Sequence, residues 1–374
     1  MVLLIGNYAL DRQQSMLRFA AMMLAGLRAA GVSAELIQPR PILGRIRFLG
    51  RVPAKWLAYI DKFIFFPRAL RRRMAAHPAL VHICDHSSAM YAAKIRDTPV
   101  VVTCHDLLAV RGALGEPTGC PASITGKLLQ RWIVGGLGKA TAIVCDSKAT
   151  LQDAERLVRR SNGRPRLEVV TLGLSYPYRK LPVPEAWKRL TETKALEANS
   201  SFILHVGSNV AYKNREGVLR IFARCREQWD GRLVFAGEPL SNSLRSLGRE
   251  LGLENWIVEL PDVTNELLEA LYNGAVALLF PSICEGFGWP IAEAQACGCP
   301  VVCTDRAPMT EVAGPAGLTH KLEDEAGFAA DILRLTDPAE RERWGARSLE
   351  NAQKFSTTRM IADYCAIYRS LAAV

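Results

Sequence analysis

The chain has 374 residues, is 49% hydrophobic and carries a formal net charge of +10. This apolar content excludes a disordered chain, and the length is too great for one compact core, so two domains of ordinary size are expected. No uncharged apolar run reaches the roughly 18 residues that a membrane-spanning helix needs. The ten cysteines include no CxxC pair for zinc or redox chemistry and are expected to be small core residues in a reducing compartment.

Short apolar runs alternate with amphipathic stretches of helical length, which is typical of parallel sheets covered by helices. The opening run lacks a basic leader and a cleavage site, so it predicts a first strand and a cytoplasmic protein rather than a secretory signal. The strands predicted in the first half lie at residues 2–5, 34–37, 80–83, 100–103, 142–145 and 167–170.

A proline-rich stretch without a clear period follows Leu174 and predicts a linker over residues 175–200. We expect a first domain over 1–174 and a second over 201–355. A last helix should begin near the capping residue Ser356 and occupy 356–374, where it can pack back on the first domain. The strands predicted in the second half begin at Phe202 and then lie at 233–236, 257–259, 275–280 and 300–303.

The carboxyl ends of strands are where doubly wound sheets bind ligands. The loop after the first strand has no GxGxxG, and the chain contains no GxxxxGK[ST] motif. Neither a nicotinamide cofactor nor a P-loop nucleotide is therefore indicated.

The longest motif follows the predicted strand that ends at Phe280. A glycine-containing loop comes next, and Pro290 suits the first turn of a helix. The amides of the loop would then project from a helix N-terminus, which is a ready phosphate site. The residues predicted to form this site are Gly286, Phe287, Gly288 and Trp289.

Two carboxylates, Glu285 and Glu293, flank this turn and can face one ligand. Beside a phosphate they would be repulsive unless they accept hydrogen bonds, and sugar or ribose hydroxyls are suitable donors. The alternative is that Glu285 is a solvated loop residue and Glu293 a favourable charge near the positive end of the helix.

The run Pro-Ser-x-x-Glu-Gly-Phe-Gly-x-Pro-x-x-Glu-Ala-x-Ala-x-Gly-x-Pro-Val over residues 281–301 resembles the signature of glycosyltransferase family 4, and the resemblance extends over nearly the whole chain. It implies an α/β GT-B fold, in which two Rossmann-like doubly wound domains face each other across a cleft. It also implies that Glu285 meets hydroxyls of the donor sugar and Glu293 the nucleotide ribose.

The loop Gly207-Ser208-Asn-Val-Ala-Tyr212-Lys213 is similar to the family loop whose basic residues neutralise the donor diphosphate. Lys213 falls on the family lysine, and a cation there would stabilise the leaving diphosphate. Tyr212 and Ser208 stand where many members carry arginine, so full donor binding requires another basic side chain. The alternative is a solvated lysine in a polar loop.

His105 and Asp106 follow the predicted strand 100–103 and resemble the His-Asp-Leu segment of the family, in which the histidine approaches the transferred sugar. After the preceding strand, His82, Asp85 and His86 either shape the acceptor side or, in the case of Asp85, cap a helix. Ser147 is expected to be a helix N-cap. The predicted acceptor-side residues are Tyr8, Asp11, Arg12, Asp85, His86 and Asp106.

The resemblance implies retention at the anomeric carbon. The sequence places no carboxylate nucleophile, which favours a front-face displacement assisted by the leaving diphosphate, and a double displacement stays open. No Asp-x-Asp pair is present to hold a divalent ion, so neither a metal ion nor any cofactor besides the GDP- or UDP-sugar donor is expected. Transfer of mannose or glucose to a glycan or lipid-linked acceptor is the expected reaction.

Positive charge is concentrated in the first half, where residues 1–174 hold 25 lysines and arginines against 11 acidic residues. Large apolar side chains recur at near-helical spacing between Pro53 and Arg73, although Pro67 should end or kink the helix. Such a segment can lie on an anionic membrane surface, or it can be an ordinary helix with a solvated basic face. The basic residues of 40–73 are Arg40, Arg45, Arg47, Arg51, Lys55, Lys62, Arg68, Arg71, Arg72 and Arg73.

Three further functions stay open at this point. A basic binding protein without catalytic activity would use the positive half, although no known nucleic-acid module is present and no nucleic-acid partner is expected. A GT-B sugar-nucleotide epimerase, or a transferase with a small soluble acceptor such as a sugar phosphate, would use the same donor site. Turnover without an acceptor would distinguish the epimerase, and liposome flotation would test for a lipid acceptor. No feature of the sequence indicates an oligomeric state.

Overall fold

The computed structural model describes residues 1–11, 13–46, 51–159, 165–193, 196–197 and 200–372, without the side chains of residues 51–55. The chain forms two compact units. The first consists of Met1–Leu114, Ala122–Ser175 and Ser356–Val374, and the second of Gly115–Pro121 and Tyr176–Phe355.

A six-stranded parallel sheet forms the centre of the first unit, in the order β2-β1-β3-β4-β5-β6. These strands are rich in Val, Ile and Leu because helices cover both faces of a parallel sheet. All six predicted strands are confirmed, the last of them one residue earlier than expected. Their bounds are Val2–Ile5 (β1), Ala34–Ile37 (β2), Leu80–Ile83 (β3), Val100–Cys104 (β4), Ala142–Cys145 (β5) and Arg166–Val169 (β6).

The C-terminal helix Thr357–Leu371 is capped by Ser356, as predicted, and is part of the first unit. Buried hydroxyl groups connect it to the sheet, with Tyr368 Oη 2.6 Å from His82 Nδ1 and Tyr364 Oη 2.7 Å from Thr103 Oγ1. His82 Nε2 lies 2.8 Å from Thr103 Oγ1, and burial lowers the pKa of His82 to about 3. His82 therefore lies inside β3 as a neutral core residue, and not on the acceptor side as the sequence suggested.

The other helices of the first unit include the basic segment. It divides into helix α2, a π-helical turn over Asp61–Phe65 and helix α3. Pro67 lies in the first turn of α3, where the missing backbone N–H of proline is tolerated. Arg47 and the side chains of Arg51 and Lys55 lie outside the described residues. The helix bounds are Gln14–Ala29 (α1), Arg51–Ile60 (α2), Phe66–Met74 (α3), Leu108–Ala113 (α4), Ile124–Leu137 (α5) and Lys148–Leu157 (α6).

A second six-stranded parallel sheet forms the centre of the second unit, in the order β12-β11-β10-β7-β8-β9. The five predicted strands are confirmed, with ends shifted by at most two residues. The last strand, β12, was not predicted because Leu318 is its single buried side chain, so the strand shows no apolar run. The bounds are Phe202–Gly207 (β7), Arg232–Gly237 (β8), Ile257–Leu260 (β9), Ala277–Phe280 (β10), Val301–Thr304 (β11) and Gly317–His320 (β12).

The stretch expected to be a linker contains a helix, α7. Leu190 is fully buried and Trp187 packs edge-on against Phe202 at a centroid distance of 6.3 Å, so tertiary burial orders a segment whose prolines suggested a coil. The helix bounds of the second unit are Val183–Thr191 (α7), Arg215–Arg226 (α8), Asn242–Glu250 (α9), Asn265–Gly274 (α10), Trp289–Ala296 (α11), Met309–Ala313 (α12), Glu325–Leu335 (α13) and Pro338–Ala352 (α14).

The cysteines are core residues, as predicted. All ten are free thiols, and all except Cys120 are buried. Among the helices of the described ranges, none is both long enough and apolar enough to span a bilayer.

Candidate active site

The strand order of the second unit reverses direction between β7 and β10. From β7 the chain continues to β8 and β9 on one side, and from β10 it continues to β11 and β12 on the other. The crossovers diverge at this point and leave a crevice at the carboxyl ends of the two central strands, which is where ligands of such sheets bind. Residues 208–214 follow β7 and residues 281–288 follow β10.

Lys213 and Glu285 meet in this crevice. Lys213 Nζ donates a hydrogen bond to Glu285 Oε1 at 2.6 Å, with 13% and 9% of the two side chains exposed. Lys213 Nζ also lies 4.9 Å from the centroid of the Phe280 ring. The structure therefore brings together two residues that the sequence placed separately at the diphosphate and at the sugar hydroxyls.

Asn214 joins the two loops that carry this pair. It adopts the left-handed conformation with φ of 52°, caps α8 by accepting from Gly217 N, and donates from Nδ2 to Pro281 O at 3.1 Å. Ile283 N also donates to Tyr212 O at 2.7 Å. These bonds hold Lys213 and Glu285 at a fixed separation.

Arg215 was not singled out from the sequence, although it is the buried cation of this region. It is 3% exposed, and its guanidinium donates to Gly207 O at 2.6 Å, to Asn209 Oδ1 at 2.7 Å and to Glu238 O at 2.7 Å. Burial lowers the pKa of Arg215 to about 10, so the group remains charged at neutral pH. Arg215 thus fixes the loop after β7 and is not the additional cation that the sequence required.

Arg306, in the loop after β11, is an exposed cation at the same edge of the sheet. Its Nη1 donates to Ile283 O at 2.8 Å, two residues before Glu285. No signal in the sequence related it to the Glu285 loop, because that relation depends on β11 lying beside β10 in the sheet. Arg306 is the candidate replacement for the missing arginine.

Glu293 lies in α11, directly after the glycine-containing loop. It is 6% exposed, and its Oε2 accepts a hydrogen bond from the hydroxyl of the fully buried Tyr272 at 2.8 Å. Burial and the Glu293 carboxylate raise the pKa of Tyr272, so this hydroxyl stays protonated and keeps donating. Gly288, with φ of 100°, makes the turn that begins α11.

The other residues predicted to bind the sugar-nucleotide donor lie in different local environments. Gly207 ends β7, and Ser208 is half-buried in the loop that follows. Phe287 is 7% exposed and packs edge-on against Phe355 at a centroid distance of 5.9 Å, so its side chain supports the loop. The buried indole N–H of Trp289 has no hydrogen-bond acceptor among the described residues.

The first unit has its own reversal of strand order, between β1 and β3. Asp85 follows β3, is 1% exposed, accepts from Asn7 Nδ2 and from Ser87 N, and caps the 3-10 helix His86–Lys94. Although burial alone raises the pKa of Asp85, the adjacent His86 keeps it below its usual range. The capping alternative for Asp85 is therefore confirmed, and an acceptor role stays a prediction.

His105 is joined to Asp146 inside the first unit. Its Nδ1 lies 2.5 Å from Asp146 Oδ2, and its Nε2 lies 2.9 Å from Cys84 O. Burial alone lowers the pKa of His105, but Asp146 and the Cys84 carbonyl raise it to about 9, so both ring nitrogens donate at neutral pH. With the residue 5% exposed, neither nitrogen is available to a ligand in this conformation.

A pattern in the sequence could have predicted the contact between His105 and Asp146. Cys104 and Cys145 are paired in the register of β4 and β5, so the residues after them occupy equivalent places at the carboxyl edge. Ser147, next in the chain, caps α6 by accepting from Thr150 N, as predicted.

Three predicted acceptor residues make contacts within the first unit. The Tyr8 hydroxyl donates to Asp61 Oδ2 at 2.7 Å, and Lys62 Nζ donates to Asp11 Oδ2 at 2.9 Å. Asp106 Oδ1 accepts from Leu108 N at 3.0 Å. Arg12 lies outside the described residues.

Two family models match the chain. The model described as "Glycosyltransferase Family 4" covers residues 17–173, and the model described as "Glycosyl transferases group 1" covers residues 188–350. The chain belongs to glycosyltransferase family 4. The resemblance noted in the sequence is thereby confirmed.

Curated relatives of this glycosyltransferase include two differently named enzymes. It is 43% identical over 116 residues to the O-antigen chain mannosyltransferase B of Escherichia coli, a match that covers 30% of each chain. It is 27% identical over 290 residues to the D-inositol 3-phosphate glycosyltransferase of Acidothermus cellulolyticus, which covers 74% of this chain. The match spans 62% of the length of that second relative.

The fold is shared with solved structures. Anabaena HepE, crystallised in complex with UDP and glucose, superposes with a TM-score of 0.75 at 16% identity and covers 99% of both chains. Together with the two six-stranded parallel sheets, this likeness confirms the GT-B fold class of the glycosyltransferase.

Proposed function

We propose that this glycosyltransferase moves a hexose, mannose or glucose, from a GDP- or UDP-sugar to a glycan or lipid-linked acceptor, with retention at the anomeric carbon. The observation that carries the proposal is the Lys213–Glu285 pair at the strand reversal of the second unit. An ammonium group and a carboxylate at the start of a helix suit a diphosphate joined to a sugar.

Lys213 stabilises the leaving group in this proposal. As the bond between the anomeric carbon and the diphosphate oxygen breaks, negative charge accumulates on that oxygen, and a positioned ammonium lowers the energy of this state. Arg306 supplies the second positive charge, Glu285 accepts hydrogen bonds from sugar hydroxyls, and Glu293, held by Tyr272, accepts from the ribose.

The state of Glu285 favours front-face displacement over double displacement, the other route that retains the anomeric configuration. A carboxylate oxygen held 2.6 Å from an ammonium is a weakened nucleophile, which disfavours a covalent glycosyl-enzyme. In a front-face displacement the acceptor oxygen bonds to the anomeric carbon as the carbon–oxygen bond to the diphosphate breaks, and the acceptor proton passes to the leaving diphosphate oxygen. No metal ion is required for this step, since lysine, arginine and the helix dipole neutralise the charge.

The names of relatives support the class of donor. One relative is called a mannosyltransferase, and HepE was crystallised with UDP and glucose. The first name is that of a transferase, and the second structure contains a nucleotide and a sugar. Neither points to an epimerase or to an inactive basic protein, so these two alternatives are not favoured.

A lipid-linked acceptor and a peripheral position on the cytoplasmic face of the membrane are supported by the surface of the first unit. Trp56 and Ile64 of the basic segment are 59% and 46% exposed, and Trp132 of α5 is 44% exposed, while Phe66 and Leu70 of the segment are buried in the core. The segment is therefore partly a packed helix and partly an exposed aromatic surface with basic neighbours, which suits an anionic membrane.

The test is donor binding and turnover across a panel of sugar nucleotides. Thermal shift and release of free nucleotide are measured on the wild type, Glu285→Ala, Lys213→Ala and Arg306→Ala, with the exposed Glu323→Ala as the matched control. We expect one donor to stabilise the wild type and the control and to lose its effect in the first two variants, with a weaker loss in Arg306→Ala.

Analysis of the product distinguishes the alternatives. A product with the anomeric configuration of the donor supports retention, and an inverted product contradicts it. Conversion of the donor to an epimer without acceptor would replace transfer by epimerisation. If no sugar nucleotide stabilises the wild type, the proposal is wrong.

A further inference from the structure

A groove of about 800 Å³ lies at the edge of the first sheet, outside the sites described above. One side is formed by β2 and the residues that follow it, and the other by α3. Four arginines line it, and we refer to it as the arginine groove; they are Arg40, Arg68, Arg72 and Arg73.

The positive charge of the arginine groove is largely uncompensated. Its two carboxylates are Glu35 and Asp61, and Glu35 is paired with Arg73 at 2.9 Å. In the part of the chain that the structure describes, Arg40, Arg68 and Arg72 form no ion pair. A groove of small-molecule size with three such guanidinium groups favours an anionic ligand.

Asp61 does not neutralise these arginines. It is 1% exposed and accepts hydrogen bonds from Ile42 N at 3.0 Å, Leu43 N at 3.0 Å, Gly44 N at 2.9 Å and the Tyr8 hydroxyl at 2.7 Å. Its charge is therefore directed at the backbone of the loop that forms one end of the groove.

Apolar side chains also line the groove. Phe65 and Ile42 are 37% and 55% exposed, beside the arginines. Guanidinium groups next to exposed apolar side chains match a ligand that carries a phosphate on an apolar chain, because each arginine can donate two parallel hydrogen bonds to phosphate oxygens.

The arginine groove adjoins the predicted acceptor loop. β2 ends at Ile37, so the residues after it lie at the carboxyl edge of the sheet, as do the residues after β1. The bond from Tyr8 to Asp61 joins the loop after β1 to the groove.

We infer that the arginine groove binds the phosphate group of a phosphorylated acceptor. Identification of the ligand as the acceptor rests on the proposed function, whereas recognition of the phosphate rests on the groove alone. The same chemistry is offered by a lipid phosphate and by a soluble phosphate compound, and the experiment separates these sources.

The experiment is calorimetric titration of the full chain with octyl phosphate, inorganic phosphate and octanol. Arg72→Ala should weaken binding of octyl phosphate about tenfold or more, the loss expected for one charged hydrogen bond. Arg71→Ala, the adjacent exposed arginine that does not line the groove, is the matched control and should stay within about twofold of the wild type. Binding of octyl phosphate alone indicates a lipid source, and equal binding of inorganic phosphate indicates a soluble one.

Two results would overturn the inference: equal weakening by Arg71→Ala and Arg72→Ala, or no binding of either phosphate by the wild type. Sugar-nucleotide binding is measured on the same proteins, together with Lys213→Ala. Donor binding without phosphate binding contradicts the arginine groove and leaves the proposed function standing. Arg72-dependent phosphate binding without donor binding supports the arginine groove as a phosphate site and contradicts the proposed function.

Discussion

The carboxyl edges of the two sheets carry charged pairs of different kinds. In the first unit the side chains of His105 and Asp146 are 6% and 1% exposed, and both nitrogens of the histidine donate within the unit. In the second unit those of Lys213 and Glu285 are 13% and 9% exposed, and Lys213 Nζ donates to no other hydrogen-bond acceptor among the described residues.

This difference separates a structural pair from one that can receive a ligand. A buried imidazolium with both N–H groups satisfied has no donor left to offer, and removing its partner leaves an unpaired charge. An ammonium group with one of its three donors used can still bind an anion. The two sheets place their polar loops by the same rule, but of these two pairs only Lys213–Glu285 retains a free donor for chemistry.

The largest effect is expected from Asp146→Asn in the first unit. Loss of one partner of a buried pair costs about 3–5 kcal/mol in the free energy of unfolding, measured by urea denaturation at pH 7. Asp153→Asn, at a partly exposed site paired with Arg111 and Arg156, is the control and should cost less than about 1 kcal/mol. Equal losses would mean that His105 and Asp146 are not a structural pair.

Lys213→Met should cut turnover about 100- to 1,000-fold, since it removes the charge opposite the leaving diphosphate. Because Glu285 is 9% exposed and loses its partner, some loss of stability is expected as well, and turnover is measured on protein shown to be folded by its unfolding transition. Lys321→Met, at an exposed position of the same unit, is the control. Turnover within about threefold of the wild type would place Lys213 outside the reaction.

The pH dependence of the free energy of unfolding should reveal the His105–Asp146 pair of the first unit. The pKa of His105 is raised from an ordinary value of 6.5 to about 9, so its stabilisation is complete below pH 6.5 and is lost as the pH rises through 9. The loss is at most about 3 kcal/mol. Urea denaturation from pH 6 to pH 10 should show the wild type converging on Asp146→Asn, and parallel curves would contradict the raised pKa.

The smallest effect is expected from Tyr272→Phe, which removes the hydrogen bond to Glu293. A loss of about 1 kcal/mol should raise the KM for the donor roughly fivefold and leave kcat nearly unchanged, because the hydroxyl positions a residue remote from the reacting carbon. Tyr178→Phe, at the neighbouring buried tyrosine, is the control. A fall in kcat with unchanged KM would contradict the ribose role of Glu293.

The sequence by itself determined the local elements. Apolar runs located eleven of the twelve strands, and Ser147 and Ser356 were identified as helix caps because capping depends on a residue and its next three neighbours. The family motif located Lys213 and Glu285 in loops after strands and Glu293 in the helix that follows the second of these loops. These features are encoded over short stretches, where residue type and spacing are sufficient.

Only the tertiary structure decided which loops meet. Lys213 and Glu285 are 72 residues apart, and they pair because β7 and β10 are neighbours at the reversal of strand order. His105 contacts Asp146 because of the register of β4 and β5, and Asp61 is buried where it accepts hydrogen bonds from the loop after β2. The hydrogen-bond partners of buried charges depend on sheet order and register, which no local pattern specifies. The pairing of Lys213 with Glu285, and the donors that this pairing leaves free on Lys213, therefore became visible only in the folded chain.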